Sequence, residues 1–220
     1  MTIFSSVLGA AAAVVIAGTA HAAIIDLTPT VDGDVQIFGG DDVQTTADRL
    51  SMVQSGGLTR NAILEFDLSA IPDSAIINAV DISMILTRFI SNVGGRDAAL
   101  DVVTYLGDGV VDISDHHASG TLALDTTTAA GGSGGDVRSF SLTDLSTFGA
   151  ALVGDLLTVR LETDSFASWQ IAALENSSYD PVTLSIEYTD TISAVPLPAG
   201  LPLLVSGLGL LGLTARRRRA

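Results

Sequence analysis

From residue 60 onward the chain alternates. In "RNAILEFDLSAI" Ala62, Leu64, Phe66 and Leu68 fall on one side of an extended backbone, with Ile63, Glu65 and Asp67 on the other. The same period of two sets Val80, Ile82, Met84 and Leu86 against Asp81, Ser83, Ile85 and Thr87, and it groups Leu100, Val102 and Leu106. It also sets Leu157, Val159 and Leu161 against Thr158, Arg160 and Glu162, and Val182, Leu184, Ile186 and Tyr188 against Thr183, Ser185 and Glu187. Successive side chains of a strand point to opposite faces, so these runs predict strands with one buried and one wet face. That pattern belongs to antiparallel sheets, not to a parallel α/β core. Turn chemistry separates the runs, in "TPTVDGD", "GGDD", "IPDS", "SNVGGRD", "GDG", "AAGGSGGD" and "NSSYDP". One internal segment reads as a helix: "LTDLSTFGAALVG", with Leu145, Phe148, Leu152 and Val153 at helical spacing and Thr143 as N-cap. No repeat of 20 to 50 residues is visible, which argues against propellers and solenoids. The expected fold is all-β, an antiparallel β-sandwich of jelly-roll type spanning residues 23–190.

Charge narrows the partners. The stretch from Ala23 to Val195 carries six arginines against 25 acidic residues, a difference of −19, and such a surface repels phosphate backbones. Nucleic acid is therefore excluded as the expected partner, whereas cation-rich surroundings would suit the domain. The chain has no cysteine, so thiolate metal sites, disulfides and Cys nucleophiles are all absent.

The two ends read as address labels. Residues 1–22 hold a short Ala-rich apolar run closing on Ala20-His21-Ala22, a small-x-small form that predicts a cleaved export signal with cleavage before Ala23. A linker at 191–194 leads to residues 195–220, in which Val195 to Ala215 is free of charge for 21 residues and Arg216, Arg217, Arg218 and Arg219 follow. That length suits a transmembrane helix, and the arginines act as a stop-transfer cluster on the cytoplasmic side, leaving the acidic domain outside.

The stretch "VPLPAGLPLLVSGLGLLGLTARRRR" closely resembles the VPLPA-CTERM variant of the PEP-CTERM sorting signals of Gram-negative bacteria. A short Pro motif, a glycine-bearing apolar helix and a terminal Arg cluster occur in that order. The resemblance implies recognition of Val195, Pro196, Leu197, Pro198 and Ala199 by an exosortase-type membrane protease. It further implies an inner-membrane-anchored precursor, then delivery to the cell surface or extracellular matrix. Pro196 and Pro198 favour an extended backbone that a protease cleft can hold.

Two internal stretches, "RNAILEFDLSAIPDSAIINAVDISMIL" and "IAALENSSYDPVTLSIEY", look like segments of DNRLRE-type and related carbohydrate-binding-module-like jelly rolls. The resemblance implies a β-sandwich carried on exported bacterial proteins. It also carries over Arg60 and Glu175, read here as a structural pair in which a carboxylate at the sheet edge satisfies an inward Arg. From Leu100 to Trp169 the chain departs from that pattern.

The departing stretch holds the densest polar chemistry, "GDGVVDISDHH", with Asp108, Asp112, Asp115, His116 and His117. It reads first as a solvated turn; its functional alternative is calcium held by Asp108, Asp112 and Asp115. No HExxH spacing is present, and adjacent histidines on an extended chain point apart. Asp32, Asp34, Asp41 and Asp42 offer a second oxygen-rich loop without EF-hand order. Ser114, Asp115 and His116 are mere sequence neighbours, no G-x-S-x-G elbow exists, and with 25 acidic residues a glycosidase pair can always be imagined. Aromatics are scarce. Trp169 is expected in the core, and Tyr105 and Tyr179 at or near strand ends. The function expected is that of a non-enzymatic, exported surface or matrix protein, structural or adhesive among extracellular polysaccharides. The alternatives are a calcium-dependent carbohydrate-binding module and a surface polysaccharide hydrolase or lyase.

Overall fold

The computed structural model describes residues 21–37 and 40–190. Residues 1–20 of the export signal, Ala20 included, the 191–194 linker, the sorting motif, the apolar run and the Arg cluster lie outside the described residues. Among those described, no helix is long and apolar enough to cross a membrane.

Two antiparallel sheets enclose one apolar core. The smaller contains β1 (His21–Leu27), β6 (Ile76–Ile85), β10 (Val137–Ser141) and β13 (Thr183–Asp190), in the order β1-β13-β6-β10. The larger contains β2 (Val31–Ile37), β3 (Asp42–Gln44), β4 (Arg49–Ser55), β5 (Leu58–Asp67), β7 (Ser91–Asn92), β8 (Ala98–Leu106), β9 (Thr121–Thr128), β11 (Leu156–Glu162) and β12 (Ala167–Ala172). Its main path runs β7-β12-β4-β5-β11-β8-β9, and β2 lies against the other side of β5 with β3 beyond it. Strand β4 pairs with β5 only over Val53–Ser55, next to the turn that joins them, and pairs with β12 along the rest of its length.

Register explains the core. Ala62, Leu64 and Phe66 of β5 sit beside Leu161, Val159 and Leu157 of β11, and all six are fully buried. Facing them from the smaller sheet are Val80, Ile82 and Met84 of β6 and Leu184 and Ile186 of β13. Trp169 on β12 is buried in the same cluster, as expected. Each such side chain removed from water contributes about 1.5–3 kcal/mol, so the alternation itself supplies most of the drive to close the two sheets.

Three expectations need correction. The outer face of β5 and β11 is not wet: Ile63, Glu65, Thr158 and Arg160 are buried, because the segment 107–120 folds back over them. The stretch "VDGD" is not a turn but part of β2. A Cβ at Gly33 would come within 2.8 Å of the Gln44 carbonyl and 3.1 Å of Val111, and only glycine lets β2 lie so close beneath its neighbours. The helix α1 (Phe148–Gly154) begins later than Thr143. Thr143 instead bonds through its N–H and its hydroxyl to the Ala123 carbonyl, and Asp144 accepts the Ser146 N–H, so the backbone is committed before a helix can start. Val153 is exposed, while Phe148, Ala151 and Leu152 pack on the core.

Candidate functional site

Strand β8 is flanked by two loops of opposite character, 107–120 after it and 86–97 before it. The first holds the charged motif. After Gly109, which has φ +82°, Val111 inserts beside Val35 and Ile63 as a small second apolar cluster. A 3-10 turn at Ile113–His117 follows, started by a capping box: Asp112 accepts the Ser114 N–H at 2.7 Å, and Asp115 accepts the Asp112 N–H at 2.8 Å. The two Ser114 donors hold Asp112 below its usual pKa. Asp108 accepts the Val110 N–H.

Arg160 fastens this turn to the sheet. Its Nη1 donates to the carbonyls of Asp115 (2.8 Å) and Ala118 (2.9 Å), and its Nε pairs with Glu162 at 3.1 Å, which also accepts from Asn61. The Tyr105 hydroxyl donates to Asp115 Oδ1 at 2.9 Å, and burial together with that carboxylate pushes the phenol pKa up. Beneath lies Glu65, fully buried, accepting from Thr158 at 2.6 Å. Burial raises its pKa, and Oε2 lacks a hydrogen-bond partner. The loop is solvated only in part: Asp115 and His116 are buried, while Asp108, Asp112 and His117 are exposed. The two histidines do not splay apart either, because the 3-10 turn brings their rings edge to face at 4.8 Å. Burial, His117 and Arg160 all lower the His116 pKa, which keeps the ring neutral, and neither of its nitrogens has a hydrogen-bond partner.

Of the proposed calcium ligands, Asp108, Asp112 and Asp115 each accept local hydrogen bonds. Among the described residues no three His, Cys, Asp or Glu side chains come together in a metal-holding group. The four aspartates nearer the start divide. Asp41 and Asp42 are exposed, whereas Asp32 and Asp34 are 2% and 3% exposed and share the face of Leu64 and Ala62. Asp32 accepts the Leu174 N–H at 2.9 Å, and Asp34 accepts the Ser51 N–H at 3.0 Å. Each satisfies a backbone N–H, one of β4 and one of the segment just after β12. Burial pushes the pKa of Asp32 up to about 6 and that of Asp34 up as well. Arg60 is indeed held by a carboxylate, but its partner is Asp34 at 3.7 Å, with Gln36 also accepting; Glu175 is exposed. Ala22 and Ala23 of the predicted cleavage site both lie within β1, paired with Thr189 and Tyr188.

The second loop carries Arg88, Arg96 and Asp97 and was not singled out by sequence. Two shallow grooves of about 660 and 310 Å³ lie on either side of Phe166, sharing Asn92, Val93 and Phe166 in their linings. Phe166 is 55% exposed and Val93 69% exposed; Arg96, Asp97 and Ser165 complete the larger groove. The loop is shaped by Asn92 Nδ2 donating to the Asp97 carbonyl and by the Val93 N–H donating to Phe166 O. Beside it Phe89 is 51% exposed, with the Arg88 guanidinium 5.8 Å from its ring centre. An aromatic ring open to solvent between polar side chains can take a flat, amphipathic ligand. Period-two reading misses Phe166 because it falls just before β12, outside any alternating run.

No protein-family profile and no curated protein matches this chain.

Proposed function

We propose that this is an exported, non-enzymatic β-sandwich protein of jelly-roll type, sorted by its VPLPA-containing tail to the cell surface or extracellular matrix. There it acts as a structural or adhesive component among polysaccharides. The tail supplies the transmembrane helix of the precursor, and an exosortase-type protease is its processing partner. One observation in the described domain supports this reading: its most reactive-looking side chains are spent on holding backbone. Asp112, Asp115, Tyr105 and Arg160 fasten a covering loop, and Asp32 and Asp34 secure the departing strands. A hydrolytic site needs such groups aimed at a substrate. Fractionation of the native host with mass spectrometry of both termini tests the reading. The expected product starts at Ala23 and is found at the surface or in the matrix; a full-length chain in the cytoplasm that retains residues 1–22 overturns it.

A further inference from the structure

The pair Asp-Gly occurs twice in the chain, at Asp32-Gly33 and at Asp108-Gly109, and the fold treats the two in opposite ways. Glycine puts no Cβ in the way of its own nitrogen, so that nitrogen can attack the preceding aspartate wherever the backbone is free to bring the two together. Asp32 is 2% exposed, its carboxylate is held by the Leu174 N–H, and Gly33 lies in β2, in register with Ile63 of β5. Asp108 is exposed, and residues 107–112 belong to no strand or helix. Its carboxylate bends forward over the next peptide, since Oδ1 accepts the Val110 N–H at 3.0 Å. A Cβ built on Gly109 would meet nothing nearer than Leu156 at 3.9 Å, so little crowds this peptide.

We propose that Asp108 is a site of spontaneous isomerisation to isoaspartate. The Gly109 nitrogen bonds to Asp108 Cγ, and the carboxyl hydroxyl leaves with the amide hydrogen as water, which gives a five-membered succinimide. Water then opens the ring, at Cγ to restore aspartate or at the Asp108 main-chain carbonyl carbon to give isoaspartate, whose backbone runs through Cγ. The product carries an extra backbone carbon between β8 and Val111, and its carboxylate no longer sits over the Val110 N–H. Gly107 packs on Glu65, and Val111 wedges beside Val35 and Ile63, so the added atom falls between two anchors of the covering loop. Isomerisation therefore loosens the turn at Ile113–His117 and leaves the sheets intact. The reaction needs no partner and no particular destination of the protein.

Ageing of the full chain in detergent and mildly acidic buffer over weeks, followed by trypsin and electron-transfer fragmentation, tests this. Isoaspartate keeps the mass of aspartate, but fragmentation locates it. Cleavage after Arg96 and Arg138 frees Asp108 on one peptide, and Asp32 stays on another that ends at Arg49. Isoaspartate should accumulate at Asp108 about tenfold faster than at Asp32 in the folded protein, because Asp32 reacts only when β2 opens. In urea the two rates should converge. The aged parent should exchange amide hydrogens faster than fresh protein at residues 112–118. Asp108→Glu should form no isomer there, since a glutamate closes its larger ring far more slowly, and should keep the exchange of fresh protein after ageing. No isoaspartate at Asp108, or equal accumulation at Asp32 in the folded chain, overturns the site. A bias that persists in urea assigns the difference to local sequence and overturns the structural reading. Unchanged exchange in the aged parent overturns the coupling to the cover.

Discussion

The loops on either side of β8 invert what their compositions lead one to expect. Residues 107–120 hold three carboxylates and two imidazoles and are tied down to the sheet: Arg160 binds two of their carbonyls, Tyr105 binds Asp115, and Val111 fills a small apolar pocket. Residues 86–97 carry two arginines and one aspartate and are open, with Phe89, Val93 and the neighbouring Phe166 half or more exposed. A cluster of polar groups near a sheet face is a natural cover for it, since buried polar groups must find partners and their partners hold the cover in place. An apolar ring left in water holds no cover in place, so this loop stays open.

The largest break in this contrast should come from Arg160→Ala. It strands the carbonyls of Asp115 and Ala118, removes a buried side chain and leaves Glu162 with Asn61 alone, and should cost about 3 kcal/mol in urea unfolding. A loss below about 1 kcal/mol would mean that the cover is held by other means. Paired glycine substitutions sharpen the same point. A Cβ at Gly107 would collide with Glu65 Oε2 in the closed layer, so Gly107→Ala should cost about 2 kcal/mol. At Gly95 nothing lies within 4 Å, and Gly95→Ala meets only the penalty of its φ of +66°, about 1 kcal/mol. Reversal of that order in thermal or chemical unfolding would contradict the open-and-closed assignment.

Strand β8 joins the two loops and supplies a subtler test. Asp101 lies directly opposite Asp125 of β9 and Glu162 of β11. Burial first, then Asp164, Asp125 and Glu162, push its pKa up to about 6. The folded state therefore holds this proton more tightly than the unfolded chain, whose carboxyl has the ordinary value of 3.8. The stability it confers is full below about pH 4 and is lost as pH rises through 6. Asp101→Asn should match the parent at pH 4 and exceed it by about 1 kcal/mol at pH 7, once solvent screening is allowed for. A difference independent of pH would show that the carboxylates opposite do not repel it. The smallest stability effect belongs to Phe166→Ala, within about 0.5 kcal/mol of the parent in the same unfolding measurement, because its ring is half in water already. A loss of several kcal/mol would make Phe166 a structural residue and close the open loop.

Most of the strand pattern was legible because period two is a local property: the inward faces of β6, β11 and β13 can be read directly from alternation. What escaped the sequence depends on contacts between distant residues. Asp32 and Asp34 face inward because their acceptors meet the N–H groups of Leu174 and Ser51, far along the chain. Arg60 finds Asp34 instead of Glu175 because β2 lies beside β5, a neighbour relation that alternation cannot reveal. The wet face expected for Glu65 and Arg160 disappeared under a loop whose own composition reads as solvated. Phe166 carried no periodic signal at all, and only the pairing of β7 with β12 places it beside Asn92 and Val93.

Hydrogen–deuterium exchange of the full chain compares the two loops in one experiment. The account predicts that residues 112–118, held by the capping box and Arg160, exchange slowly, while residues 93–97 exchange fast. Fast exchange at 112–118 with slow exchange at 93–97 would reverse the two assignments and contradict it.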